Sequence, residues 1–160
     1  MSSKQSDPGI KVVCRNKKAR HDYDLGEHYE AGLVLTGTEV KSLRLGKANL
    51  TDAYARITDG EIWLINARID PYPFAHYGNH EPERPRKLLL GKYEIKKLYG
   101  RMQERGQSLI PLAIYFKEGW AKVELALATG RRAYDKRQAL KQKVADREMA
   151  RAIRRRFKDE

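Results

Sequence analysis

Ala53-Tyr54-Ala55-Arg56-Ile57-Thr58-Asp59-Gly60-Glu61-Ile62-Trp63-Leu64-Ile65-Asn66-Ala67-Arg68-Ile69 is the stretch that decides the fold class. Isoleucines, a threonine and aromatic residues crowd both halves, as half-buried strands require. Asp59-Gly60 between them suits a two-residue hairpin, whose tightest form needs positive φ at both central positions. The expectation is two antiparallel strands, Ala53 to Thr58 and Glu61 to Ile69.

Working outward, Tyr29 to Gly37 and Thr38 to Arg44 read as two further strands, with Gly32 and Gly37 marking a bulge or bend. Gly46-Lys47-Ala48-Asn49-Leu50 reads as a turn. Downstream, Pro71, Pro73, Pro82 and Pro85 make Asp70 to Arg86 a long surface loop. Arg86-Lys87-Leu88-Leu89-Leu90 then leads into a helix from about Lys92 to Arg105, where Ile95, Leu98, Tyr99 and Met102 share one face. Leu109 to Phe116 and Trp120 to Ala128 form a last hairpin around Lys117-Glu118-Gly119. In it Ile110, Leu112, Ile114 and Phe116 recur at period two, as do Val123, Leu125 and Leu127. At the front, residues 1–13 read as a loose leader, and Asn16 to Tyr23 as one helical turn or an arm. Many short strands with bends and a single helix predict a mainly β domain, a small oligonucleotide-binding-type barrel over residues 14–130.

Residues 131–160 do not resemble part of that core. They hold twelve Lys or Arg against five Asp or Glu, which is +7 of the chain's +12, and leave +5 on the body. Arg147, Arg151, Arg154 and Lys158 fall on one helical face, while Met149, Ile153 and Phe157 fall opposite. Leu140 and Val144 point away from that second stripe, so no apolar seam persists along the segment. Such a tail is expected to be frayed alone and to become helical when a polyanion neutralises it.

With pI near 9.8, 160 residues and 34% charged residues, the chain calls for a polyanionic partner. A membrane is the competing surface. The body has no apolar run long enough to span one, and the start has no signal-peptide core. A single cysteine, Cys14, fits a reducing cytoplasm. Catalysis finds no support. Gly46-Lys47 lacks the remaining residues of a phosphate-binding loop, no Gly-x-Ser-x-Gly elbow occurs, and Cys14 has no evident base. His76 and His80 lie in the proline-rich loop without a cysteine cluster, so no metal is expected. Glu30 and Glu39 as acids in strands suit surface or hydrogen-bonding roles better than a catalytic pair. Basic residues beside aromatics, at Arg20 to Tyr23, Lys92-Tyr93, Lys117 to Trp120 and Tyr134 to Arg137, favour RNA.

Asn16-Lys17-Lys18-Ala19-Arg20-His21-Asp22-Tyr23, Glu30-Ala31-Gly32-Leu33, the run Thr36 to Arg44, Gly46 to Leu50, Arg86 to Leu90 and Tyr134-Asp135-Lys136-Arg137 resemble, in this order, the bacterial SsrA-binding proteins (small protein B). The resemblance implies an oligonucleotide-binding-type barrel whose tail is disordered when free. It further implies a non-enzymatic, cofactor-free role in trans-translation. Members bind the tRNA-like domain of transfer-messenger RNA and bring it to 70S ribosomes stalled without a codon. The small-subunit decoding centre and mRNA channel then receive the tail, while EF-Tu and alanyl-tRNA synthetase are met only through the alanylated RNA. Residue by residue, the RNA-binding positions fall on Glu30, Leu89 and Lys122, with Asn16, Lys17 and Arg20 on the adjoining arm. The decoding-site and channel positions fall on Arg131, Arg132, Tyr134, Asp135, Lys136, Arg137, Arg147, Arg151 and Arg154. Some relatives carry His at the position of Tyr134, and Asp24 stands where an apolar residue is usual. A general single-strand or ribosomal RNA-binding protein of the same barrel class is the alternative.

Overall fold

Asp59 (φ 53°) and Gly60 (φ 76°) both adopt the left-handed backbone their hairpin demands. Across them β4 (Tyr54–Thr58) pairs with β5 (Glu61–Ile65), Tyr54 opposite Ile65 and Thr58 opposite Glu61. The computed structural model describes the backbone of residues 9–130 and 133–158, and side chains for 9–130 and 143–155. The leader expected over residues 1–13 lies largely outside the described residues. The chain divides into two units, residues 1–129 and 130–160.

The remaining strands of the first unit are β1 (Ile10–Arg15), β2 (Tyr23–Leu33), β3 (Ala48–Asn49), β6 (Arg68–Ile69), β7 (Arg86–Leu89), β8 (Ser108–Lys117) and β9 (Trp120–Gly130). Its helices are α1 (Lys17–Asp22), α2 (Gly37–Arg44) and α3 (Lys92–Arg105). The main sheet runs β1-β8-β4-β5-β7-β2-β9, and β9 also pairs with β8. That second pairing closes a ring, β8-β4-β5-β7-β2-β9, and leaves β1, paired with β8 alone, as the sheet's edge. One edge of β8 is shared: Leu109 meets Ala55 of β4, while residues 113–117 meet β1. The result is the expected closed antiparallel barrel.

Its interior is filled by Ala31, Leu33, Ile62, Leu64, Leu88, Leu109, Ile114, Val123, Leu125 and Leu127, joined by Leu43 of α2 and Ile95 and Leu98 of α3. A smaller cluster forms on the other face of β8 and β9, where Ala19 of α1 covers Ile110, Leu112, Ala126 and Ala128. The period-two run through β8 therefore does not serve one face. The register shifts between Pro111 and Ala113, so Ile110 and Leu112 pack under α1 while Ile114 turns into the barrel. A bulge adds one residue and reverses the parity of everything beyond it.

Other sequence expectations are corrected. Thr38 to Arg44 is helical, not a strand, because Glu39 reaches back to the Thr36 amide (2.9 Å) and fixes a helix start. The strand from Glu61 stops at Ile65, since Asn66 takes φ 59°. Arg68–Ile69 instead pairs with Ala48–Asn49 in a separate two-stranded sheet, so the supposed turn contains a strand. The β-branched run at Ile10, Val12 and Val13 gives β1 inside the supposed leader. Among its described residues the first unit thus packs three helices rather than one.

The second unit contains α4 (Ala133–Lys158), 26 residues, or about 39 Å at ~1.5 Å per residue. This continuous helix is the state expected of the tail once a polyanion neutralises it. Its sequence holds neither Gly nor Pro and is rich in Ala, Lys and Arg, all strong helix formers. Every described side chain on it is exposed, including Val144 (53%), Met149 (71%) and Ile153 (55%).

Candidate nucleic-acid interface

Residues that alternate outward on four neighbouring strands, β7-β2-β9-β8, build the candidate surface. On β2, Ala31 and Leu33 point into the barrel, which turns His28, Glu30 and Gly32 out. On β9, Val123 and Leu125 point in, leaving Lys122 and Glu124 outside. Tyr115 of β8 stands directly across from Lys122.

Glu30 is the hub. The Tyr115 hydroxyl donates to its Oε2, and Lys117 Nζ lies 3.5 Å from its Oε1. The Tyr115 hydrogen bond, aided by Lys117 and Lys122, holds the Glu30 carboxyl below its ordinary pKa. Burial and the same hydrogen bond push Tyr115 upward, so the phenol stays a donor throughout the neutral range. Glu30 is therefore a fixed, ionised acceptor with cations on its flank. Such an arrangement has the chemistry to accept from a nucleotide amino or hydroxyl group and to place lysines against phosphate.

Leu89 sits on the far side of this hub. It pairs with Gly32, and a Cβ at Gly32 would lie 3.2 Å from the Leu89 Cβ. Glycine lets the leucine lie close over β2, where 55% of it remains exposed. Toward the other side, His28 Nδ1 bonds Glu124 Oε1 at 2.7 Å. Glu124 in turn lines a cleft of about 260 Å³ with Arg15, Asn16, Lys17 and Arg20. The α1 arm thereby joins the barrel face, and Lys17 and Arg20 are exposed on it.

Asn16 is different. It is 7% exposed, and its Nδ2 donates to Leu50 O (3.1 Å) and Pro111 O (3.0 Å) while Oδ1 accepts from Ala19 N (3.2 Å). Both amide protons and one oxygen site are used inside the protein, so Asn16 positions the arm. Asp24 is an exposed residue of β2. In the second unit, Arg147, Arg151 and Arg154 are exposed on α4. Tyr134, Asp135, Lys136 and Arg137 lie on the α4 backbone, whereas Arg131 and Arg132 fall outside the described residues.

Glu39 belongs elsewhere. It is fully buried and accepts from the Thr36 amide, from Arg84 (2.5 Å) and from Arg86. Burial would raise its pKa, yet these donors outweigh burial and hold the carboxyl below its ordinary value. Burial also lowers the Arg86 pKa against the pull of Glu39, but from an ordinary value so high that the guanidinium stays charged. Among the described residues no cluster of three or more His, Cys, Asp or Glu could hold a metal. Cys14 is half-buried, and burial pushes its thiol upward, opposite to the needs of a nucleophile.

Sequence reading missed two things. Thr36-x-x-Glu39 is a capping-box signal that marks α2. The Tyr115–Glu30 bond joins positions 85 apart in sequence, and no local pattern carries it.

A model of the SmpB protein family matches residues 13–155. The chain belongs to the SmpB family. The SsrA-binding protein of Acidothermus cellulolyticus is 59% identical over 152 residues, covering 95% of this chain and 96% of that one. That of Desulforudis audaxviator is 60% identical over 144 residues, covering 90% and 94%. Among solved structures, a chain from "tmRNA-SmpB: a journey to the center of the bacterial ribosome" superposes with a TM-score of 0.65 at 50% identity, over 79% of this chain and 93% of that chain. The SmpB match begins within β1 and extends through most of α4, so it spans both units.

Proposed function

We propose that this SmpB-family chain binds the tRNA-like domain of transfer-messenger RNA (SsrA) and delivers it to stalled ribosomes for trans-translation. The observation that carries this is the junction of Leu89, Glu30 and Lys122 on adjacent strands, continued by Lys17 and Arg20 on the arm. It is a surface with apolar, acceptor and cationic elements in one line, suited to a folded RNA rather than to a bare phosphate run. The chain acts by binding in the cytoplasm. Chemistry belongs to the alanylated RNA and to the ribosome, with EF-Tu and alanyl-tRNA synthetase reached through that RNA. Among the described residues no helix is long and apolar enough to cross a membrane.

The tail enters the small-subunit decoding centre through Tyr134 to Arg137 and follows the empty mRNA channel with Arg147, Arg151 and Arg154. A 26-residue helix of about 39 Å suits such a channel only when no message fills it. Vacancy itself is then what the tail senses. The test is affinity for full-length transfer-messenger RNA against ordinary tRNA across a salt series, with the chain stopped after Gly130 run alongside. The truncated chain is expected to retain RNA binding and to lose peptide tagging on stalled ribosomes. Normal tagging would remove the tail from the mechanism, and a preference for unstructured RNA would favour a general RNA-binding protein.

A further inference from the structure

The loop between β6 and β7 carries a surface that the Glu30 face does not use. Tyr72-Pro73-Phe74-Ala75 closes a turn, with Ala75 N donating to Tyr72 O (3.3 Å) and proline in the position that favours it. Asn79 then clamps the loop's base: its Oδ1 accepts from Tyr72 N (3.0 Å) and its Nδ2 donates to Tyr72 O (2.8 Å). His80 ties the same base to the barrel unit, through Thr38 Oγ1 (2.9 Å) and Ile69 O (2.8 Å). Because a carbonyl only accepts, Nε2 carries the proton toward Ile69, and the other nitrogen is free to accept the Thr38 hydroxyl. A loop held at its root in this way still leaves Phe74 66% exposed and Tyr77 fully exposed at its tip.

These rings border a cleft of about 660 Å³ that includes Thr36, Thr38, Lys41, Tyr72, His76 and Asn79. Its lining contains no Asp or Glu. Lys41 Nζ lies 5.6 Å from the centre of the Tyr72 ring and makes no ion pair among the described residues. Tyr72 and Phe74 meet edge to face, 5.6 Å between centroids. Exposed flat rings on a pinned loop, beside an unpaired cation, match an unstacked base and its phosphate. An acidic peptide would use the lysine but would leave the rings without planar partners. A second RNA is already implied by delivery to the ribosome, and this cleft shares no residue with the Glu30 face.

We propose that the Phe74–Tyr77 loop and Lys41 form a second RNA site that takes an unstacked nucleotide of ribosomal RNA when the protein docks. This rests on the reading that the Glu30 face holds the tRNA-like domain. The loop grips one RNA while the barrel face holds the other, and its rigidity keeps the ordering cost of binding low.

The experiment measures binding of the full-length F74A/Y77A double variant, K41A, E30Q and the parent chain to two probes. One probe is the isolated tRNA-like domain, and the other is 70S ribosomes programmed with an empty decoding site. All substituted groups in the loop are exposed, so thermal unfolding should match the parent. The double variant is expected to lose about tenfold or more in ribosome affinity, the scale of one lost base stack, and to bind the tRNA-like domain within twofold of the parent. K41A should lose less and flatten the salt dependence of ribosome binding. A photo-crosslinking residue at position 77 should mark ribosomal RNA. Unchanged ribosome affinity, a loss confined to the tRNA-like domain, or crosslinks only to ribosomal protein would overturn the second site. Failure of the parent and E30Q to differ on the tRNA-like domain would instead overturn the reading of the Glu30 face.

Discussion

Glu30 and Glu39 lie nine residues apart in sequence and are both held below their ordinary pKa by hydrogen-bond donors. Their surroundings give them opposite work. Glu39 is sealed inside beside Arg84 and Arg86, and both of its oxygens are spent on the fold. Glu30 stands on the barrel's outer face with Tyr115 fixing one oxygen and Lys117 loosely near the other, so acceptor capacity faces outward. A depressed carboxylate is therefore not by itself a mark of function. What separates the two is whether the group can still meet a partner.

The sharpest way to break this comparison is Glu39→Gln. Arg86 is 0% exposed, and removing the charge beside it should destabilise the protein by about 3–5 kcal/mol at pH 7. Arg86 keeps its bonds to the carbonyls of Ala67 (2.5 Å) and Pro82 (3.0 Å), which favours the lower end. Urea unfolding measures it, and a loss below about 1 kcal/mol would mean the pair is structurally idle. The pH dependence has a fixed sign. A folded-state pKa below the unfolded value adds stability above the ordinary carboxylate range, lost as pH falls through the folded value. The gap between parent and variant should therefore close on acidification. Glu30→Gln should leave neutral-pH stability nearly unchanged.

Asn16→Ala comes next. The change strips an N-cap and leaves the Leu50 and Pro111 carbonyls without this donor, for an expected loss of about 2–3 kcal/mol. Asn16 carries no charge, so the slope of log affinity against log salt should not move. Arg20→Ala or Lys122→Ala should lower that slope by about 0.7–0.9 for each phosphate no longer neutralised. A reduced slope in the asparagine variant would mean that loss of the cap displaces Lys17 or Arg20 from phosphate.

The two glutamates also show how far sequence carries. The hairpin at Asp59-Gly60, α3 and the last hairpin are legible because turn chemistry and periodicity are local. α2 was hidden because Val40 and Leu43 lie among residues that also suit a strand, and only the Thr36–Glu39 cap distinguishes them. The faces of β8 were hidden by the bulge near Pro111, which no count of period two can foresee. For the site, family resemblance placed Glu30, Leu89 and Lys122, and strand order explains why they converge. Tyr115 was unreadable as their partner because the bond exists only once the barrel closes.

Tyr115→Phe sharpens the functional side of the comparison. The ring is retained in place, so stability should fall by about 1 kcal/mol or less. Without the hydroxyl donor the Glu30 pKa should rise toward its ordinary value, as carboxyl-carbon resonance titration would report. RNA affinity that depends on ionised Glu30 should then weaken at a higher pH on the acid side than in the parent. A titration curve identical to the parent's would show that Lys117 and Lys122 alone hold the carboxylate.

Leu89→Ala carries the smallest expected effect on the fold and separates RNA binding from architecture most cleanly. More than half the side chain is exposed, so truncation should change stability by about 0.5 kcal/mol or less. If Leu89 meets an unstacked base, the smaller apolar surface should still weaken binding to the tRNA-like domain by a few fold, with no change in salt slope because no charge is altered. Gly32→Ala offers a control that keeps the leucine but displaces it. The added Cβ would sit 3.2 Å from the Leu89 Cβ, so the leucine must shift by a few tenths of an ångström. Should Gly32→Ala weaken RNA binding as much as Leu89→Ala, then the leucine's position, set by the bare backbone beneath it, is what the RNA reads. Should only the truncation matter, the leucine supplies area alone, and Gly32 is there for the strand.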